Sequence, residues 1–179
     1  YRRMCFVATV LSLGLSIALG SWILGEFRFC GKMKVSFTFD DGTKDHILYA
    51  APILEKYGYR GIFCVIPEKI GSPGYMSWDD LKELAKRGHE IASHTFHHTN
   101  MLALAVSGDI ETARSEIRDS KAAIEKSAGV SCKYLAFPYN KCNSYLFDLV
   151  RSENLIPLAN IRMGIGSNPE ESPVGVGER

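Results

Sequence analysis

An α/β fold built on a parallel sheet is what this sequence predicts, and three observations carry that reading. From residue 33 onward, strand-like and helix-like hydrophobic periods alternate. The run 61–66 is continuously apolar, as a parallel strand covered on both faces must be. Glycines at 58, 88 and 129 stop the intervening helices. Strand alternating with helix implies parallel strands, and the periodicity leaves open whether the sheet stays open or closes into a barrel.

The elements follow in order. Val35, Phe37 and Phe39 alternate with Lys34, Ser36 and Thr38 to form the first strand, which breaks at Asp40, Asp41 and Gly42. A helix comes next, with Ile47, Ala51 and Leu54 on its inner face, His46 expected on its exposed side, and Gly58 as its stop. Residues 61–66 form the second strand, and Gly71, Pro73 and Gly74 mark a loop. Ser77 then caps a helix, with Asp80 completing a capping box, Leu81 and Leu84 facing inward and Trp78 read as packing. Residues 89–93 are the third strand, in which His89 has a structural place. A longer helix opens near Asp109 and closes at Gly129, its stripe formed by Ile110, Ala113, Ile117 and Ile124. Residues 133–137 are a fourth strand, 144–152 a helix and 155–160 a weaker fifth strand.

Composition excludes several classes of function. With 21 Lys or Arg against 20 Asp or Glu, the net charge of the 179 residues is +1, so binding of nucleic acid through bulk charge is ruled out. At 46% hydrophobic and 23% charged, the chain is ordinary globular material rather than a disordered one. Residues 4–25 nevertheless carry no charged side chain and follow directly on Arg2 and Arg3. As a helix they would span about 33 Å, enough to cross a bilayer's hydrocarbon core of roughly 30 Å. Two readings lead, a signal peptide cut after Gly20 or an uncleaved membrane anchor, ahead of a buried helix of the soluble domain, which would have no polar face. Both send residues 26–179 out of the cytoplasm as the working domain. The five cysteines (5, 30, 64, 132 and 142) show no CxxC spacing and read as isolated thiols with one bridge at most.

The chemistry gathers at strand ends. In parallel α/β architecture sites collect at the carboxyl ends of strands. Strand one ends in Asp40 and Asp41, strand three in the run His94, Thr95, Phe96, His97, His98, and strand four in Phe137, Pro138, Tyr139, Asn140. His94 and His98, four apart, can aim two imidazoles at one point. Two imidazoles and a carboxylate with open positions suit a catalytic divalent ion such as Zn²⁺, Co²⁺, Ni²⁺ or Fe²⁺. Adjacent aspartates repel unless a cation or a shared proton separates their roles, so one can ligate while the other serves as a base. His97, between the two imidazoles, reads as solvent-facing or as support for the ligands.

These residues resemble a known family. SFTFDDG at 36–42, GHEIASHTFHHTNML at 88–102 and FPY at 137–139 are similar to the motifs of the polysaccharide deacetylases of carbohydrate esterase family 4, the NodB-homology domain. The resemblance spans about residues 33–165. It implies an irregular (β/α) barrel and metal-dependent hydrolysis of N-acetyl or O-acetyl groups on chitin, peptidoglycan or related glycans, with Zn²⁺ foremost and Co²⁺ or Ni²⁺ as alternatives. It also implies roles: Asp41, His94 and His98 as metal ligands, Asp40 as catalytic base, the Tyr139 backbone N–H as donor to the oxyanion, and Thr95 in the Ser/Thr place between the histidines.

Two departures from the family pattern matter. Where the family places an Arg two residues before the third-motif Pro, Ala136 stands here. The family's later buried Trp and Leu-x-His have no counterpart, since the tryptophans are Trp22 and Trp78 and no His follows His98. Together with the few strands that can be counted, this predicts a barrel incomplete at the C-terminus. Beginning with Tyr1, the chain also reads as incomplete at the front. A glycan deacetylase is thus the leading expectation, with an amidohydrolase on small cyclic amides and a catalytically silent glycan-binding domain as alternatives.

Overall fold

The computed structural model describes residues 36–159. The apolar stretch 4–25, Cys5, Cys30, Val35, Asn160 and the glycine-rich tail lie outside the described residues. Among the described residues no helix is long and apolar enough to cross a membrane.

Five strands are present: β1 (Phe37–Phe39), β2 (Gly61–Val65), β3 (Glu90–Ser93), β4 (Tyr134–Ala136) and β5 (Ile156–Leu158). Each is parallel to its neighbour, and their order in the sheet is their order in the chain. That order decides what periodicity left open. A doubly wound sheet reverses direction at a switch point, whereas here every crossover advances the same way, which is the winding of a (β/α) barrel.

The two faces of the sheet differ in kind. Phe63 pairs with Ile91 in register and Val65 with Ser93, and the apolar side chains of that face join the helices in the main core. On the opposite face Cys64, Ala92 and Ala136 form a smaller cluster with Ile62, Tyr134 and Leu158. Because side chains alternate along a strand, continuing this second face past the strand ends brings up Asp40 after Thr38 and His94 after Ala92. The site therefore sits on the barrel's inner face, where small residues leave room for it.

The helices are α1 (Ala51–Lys56), α2 (Trp78–Lys86), α3 (Met101–Ser107), α4 (Ile110–Ala128) and α5 (Ser144–Ser152). Ser77 and Asp80 form the expected reciprocal capping box on α2. Asp109 caps α4 through Thr112 N–H, and Gly129 ends it in the left-handed conformation. Helix α3 was not expected from the sequence, since its seven residues are too few for a periodic stripe; Asn100 as its cap and Gly108 as its stop were the signals present.

His46 corrects an expectation. A π-helical turn, His46–Ala50, leads into α1 with Pro52 at its start, where the missing N–H interrupts regular hydrogen bonding. Instead of facing solvent, the His46 ring is half-buried against Phe39 and Phe63, with centroids 5.6 and 6.0 Å away. The helix begins so soon after the strand end that its first turn must pack on β1 and β2. His89 has the structural place predicted: it is buried, its Nδ1 accepts Gly61 N–H at 3.1 Å, and its Nε2 lies 2.7 Å from Glu55. Cys64, Cys132 and Cys142 are free thiols.

Candidate metal centre and its cleft

Three turns build the site, and each bends the backbone into an unusual region. Of the six non-glycine residues with positive φ among the described residues, five lie here: Asp41, Thr95, His98, Tyr139 and Asn140. Such conformations cost of order 1–3 kcal/mol each and persist where the surroundings over-determine them. After β1 the chain turns through Asp41 (φ 75°) and Gly42 (φ 77°), which swings Asp41 toward the rim. Gly42 is required twice, because a Cβ there would also stand 3.1 Å from Val65 Cγ1. Main-chain bonds from Met76 N–H to the Gly42 carbonyl and from Lys44 N–H to the Gly74 carbonyl fasten this turn to the loop before α2.

After β3 the chain reaches His94, which is 3% exposed. Its Nδ1 lies 3.0 Å from the Ala136 carbonyl and must be the donor, since a carbonyl only accepts. That bond fixes the tautomer and leaves the Nε2 lone pair free. Nε2 of His94 is 3.6 Å from Asp41 Oδ1, and Nε2 of His98 is 3.4 Å from the same oxygen. The imidazole centroids are 4.9 Å apart, and the Tyr139 ring covers His98 at 4.7 Å. Burial, and then the neighbouring His94, hold the His98 pKa below its ordinary 6.5, so the ring is neutral near pH 7.

The donor set fits a divalent ion. One donor atom from each of Asp41, His94 and His98 lies within 4.8 Å of the other two. Ligands held about 2.0–2.2 Å from a tetrahedral ion stand roughly 3.3–3.6 Å from one another, close to the separations of both imidazoles from Asp41. Two imidazoles and a carboxylate that leave room for a fourth partner are a donor set suited to a catalytic ion rather than to a closed structural one. Asp41 keeps 49% of its side chain exposed toward the cleft.

The cleft itself has a volume of about 400 Å³, and all five residues singled out in the sequence, Asp40, Asp41, His94, His98 and Tyr139, line it together with Ala136 and Leu158. Asp40 is exposed at its mouth. Cys64 is completely buried beneath, and burial followed by the nearby Asp40 pushes its thiol pKa well up, so it is an inert neutral group. His97 is half exposed and stands away from the ligand triangle, with its Nδ1 2.7 Å from Glu116. Glu116 was missed by the sequence reading. It is a carboxylate facing inward on α4, and its only sequence signal was an acidic residue beside Ile117 in the apolar stripe.

A parallel (β/α) sheet with the winding of a barrel thus carries two imidazoles and two carboxylates at its strand ends. Residues 30–155 match the family model for polysaccharide deacetylases, and the chain belongs to that family. YxkH of Bacillus subtilis is 30% identical over 109 residues, covering 61% of this chain and 38% of YxkH. A bifunctional xylanase/deacetylase of Pseudobutyrivibrio xylanivorans is 27% identical over 113 residues, covering 63% of this chain and 18% of that protein. Among solved structures, the Streptococcus pyogenes deacetylase PplD in complex with acetate superposes with a TM-score of 0.61 at 25% identity, covering 80% of this chain and 61% of PplD. The chain thus spans less than two thirds of the length of these relatives.

Proposed function

We propose that the protein hydrolyses acetyl groups, N-acetyl foremost and O-acetyl second, from a polysaccharide of the chitin or peptidoglycan kind, using a divalent ion held by Asp41, His94 and His98. The observation that carries this reading is the convergence of those three donors with a second carboxylate, Asp40, in one cleft. Family membership supports the substrate class. The domain is residues 26–179, and the uncharged stretch 4–25 supports a place outside the cytoplasm, secreted or tethered.

An amide carbonyl is a poor electrophile and neutral water a poor nucleophile; an ion bound here, zinc being the first candidate and cobalt or nickel the alternatives, supplies Lewis acidity toward both. The chain's own groups do the rest. Asp40, adjacent to Asp41 but not part of the donor triangle, takes the proton of the attacking water and returns it to the leaving sugar nitrogen or oxygen as the acyl bond breaks and acetate is released. The Tyr139 N–H, on the turn Pro138–Asn140, donates to the developing oxyanion. The Ala136 carbonyl keeps His94 in the tautomer that presents Nε2.

Acetate release from N-acetylated chitin oligomers and from peptidoglycan, measured with the metal-loaded protein, tests the proposal. Acetate together with a free amine on the sugar supports it; intact substrates overturn it. Binding of the glycan without acetate release supports instead a catalytically silent glycan-binding domain, which is favoured by Ala136 standing in the cleft where the family resemblance places an Arg. Hydrolysis confined to ring amides marks an amidohydrolase.

A further inference from the structure

We propose that Glu116 on α4 is a positioning residue for the metal-binding loop, setting the place of His98 relative to His94 and hence the affinity of the site for its ion. The inference rests on the metal-site reading above. Residues 94–98 carry two of the strained backbone conformations, at Thr95 (φ 63°) and His98 (φ 62°), so something must hold the loop in shape. Glu116 is 6% exposed and takes three bonds from this one segment. Its Oε2 accepts Phe96 N–H at 2.9 Å and His97 N–H at 3.0 Å, and its Oε1 lies 2.7 Å from His97 Nδ1.

Those two amides lie between the two imidazole ligands. A buried carboxylate on successive N–H groups makes strong, charge-assisted bonds in fixed directions. The loop has other fastenings along its length: His94 N–H donates to the Val65 carbonyl at 2.9 Å, Thr95 N–H to Ser93 Oγ, Glu68 N–H to the Phe96 carbonyl at 3.3 Å, and Thr99 N–H to Thr95 Oγ1. Glu116 is the side chain that ties both central amides to α4, a helix of 19 residues locked into the core by Ala113, Ile117 and Ile124. Glu116 thereby transmits the rigidity of the helix to the ligand pair. Groups that orient ligands in this way typically govern metal affinity by about 10–100-fold.

The test compares Glu116→Ala, Glu116→Gln and Ile117→Val in the full chain, reading Co²⁺ and Zn²⁺ affinity by competition with a chelator alongside thermal unfolding without metal. Ile117→Val is a packing change one residue away on the same helix. Glu116→Ala is expected to weaken metal binding at least tenfold, with Glu116→Gln recovering most of the loss, because an amide oxygen still accepts both N–H groups. Ile117→Val should leave affinity unchanged. If Glu116→Ala does not fold, the comparison rests on Glu116→Gln against Glu116→Leu. Full affinity in a folded variant lacking the acceptor, or an equal loss in Ile117→Val, overturns the inference alone. A parent chain that binds no metal overturns the site reading, and this inference with it.

Discussion

His94 Nδ1 donates to the main-chain carbonyl of Ala136 at 3.0 Å, joining the end of β3 to the end of β4. The bond does two things at once: it closes the sheet's rim across strands that share the single register pair Ser93 and Leu135, and it selects the imidazole face turned toward Asp41. A backbone carbonyl performs this job whatever side chain position 136 carries. The placement of His94 therefore does not depend on the side chain at position 136.

Removing a ligand should remove the ion. His94→Ala and His98→Ala are each expected to lose nearly all bound zinc or cobalt after dialysis, because a site reduced to two protein ligands holds metal severely less well. Metal content per chain by elemental analysis decides it, and full retention in both variants would place the ion elsewhere.

The two aspartates should fail differently. Asp40→Asn is expected to keep its metal and lose hydrolysis by about a hundredfold or more, since an amide cannot accept the water's proton. Asp41→Asn should lose metal occupancy first. Parallel measurement of metal content and acetate release separates the two, and the opposite pattern would exchange the roles.

Gly42→Ala should destabilise the protein and disturb the site together. A methyl group at φ 77° is strained, and it would also press on Val65 Cγ1 at 3.1 Å, so a loss of about 1–3 kcal/mol is expected. Denaturant unfolding measures it. A variant as stable as the parent would mean that the turn relaxes to another conformation.

Acid should weaken the junction of α1, α2 and β3. Arg87 donates to Glu55 at 2.8 Å, and this bond, opposed by partial burial and aided by His89, holds the Glu55 pKa down to about 2 from its ordinary 4.5. A carboxyl depressed in the folded state contributes stability that is present above about pH 4.5 and disappears as pH falls toward 2. Unfolding followed across that window should show the parent losing stability more steeply than Glu55→Gln. Identical slopes would deny the pairing any part in folding.

The sequence by itself determined the elements whose cause is local. The capping box at Ser77 and Asp80, the stripe and ends of α4 and the continuous apolar run of β2 are consequences of neighbours within a few residues, and all stand where the periods put them. The candidate ligands were legible too, because two imidazoles four apart and paired aspartates at strand ends are chemistry written in short segments. Tertiary structure decided what depends on contacts between distant segments. The one-way strand order, the packing of His46 on Phe39 and Phe63, the tautomer of His94 set from Ala136, and the Glu116 carboxylate beneath residues 96 and 97 all join residues many positions apart. The linear pattern holds no trace of such pairings, since a hydrophobic period records which face is buried and not what lies against it.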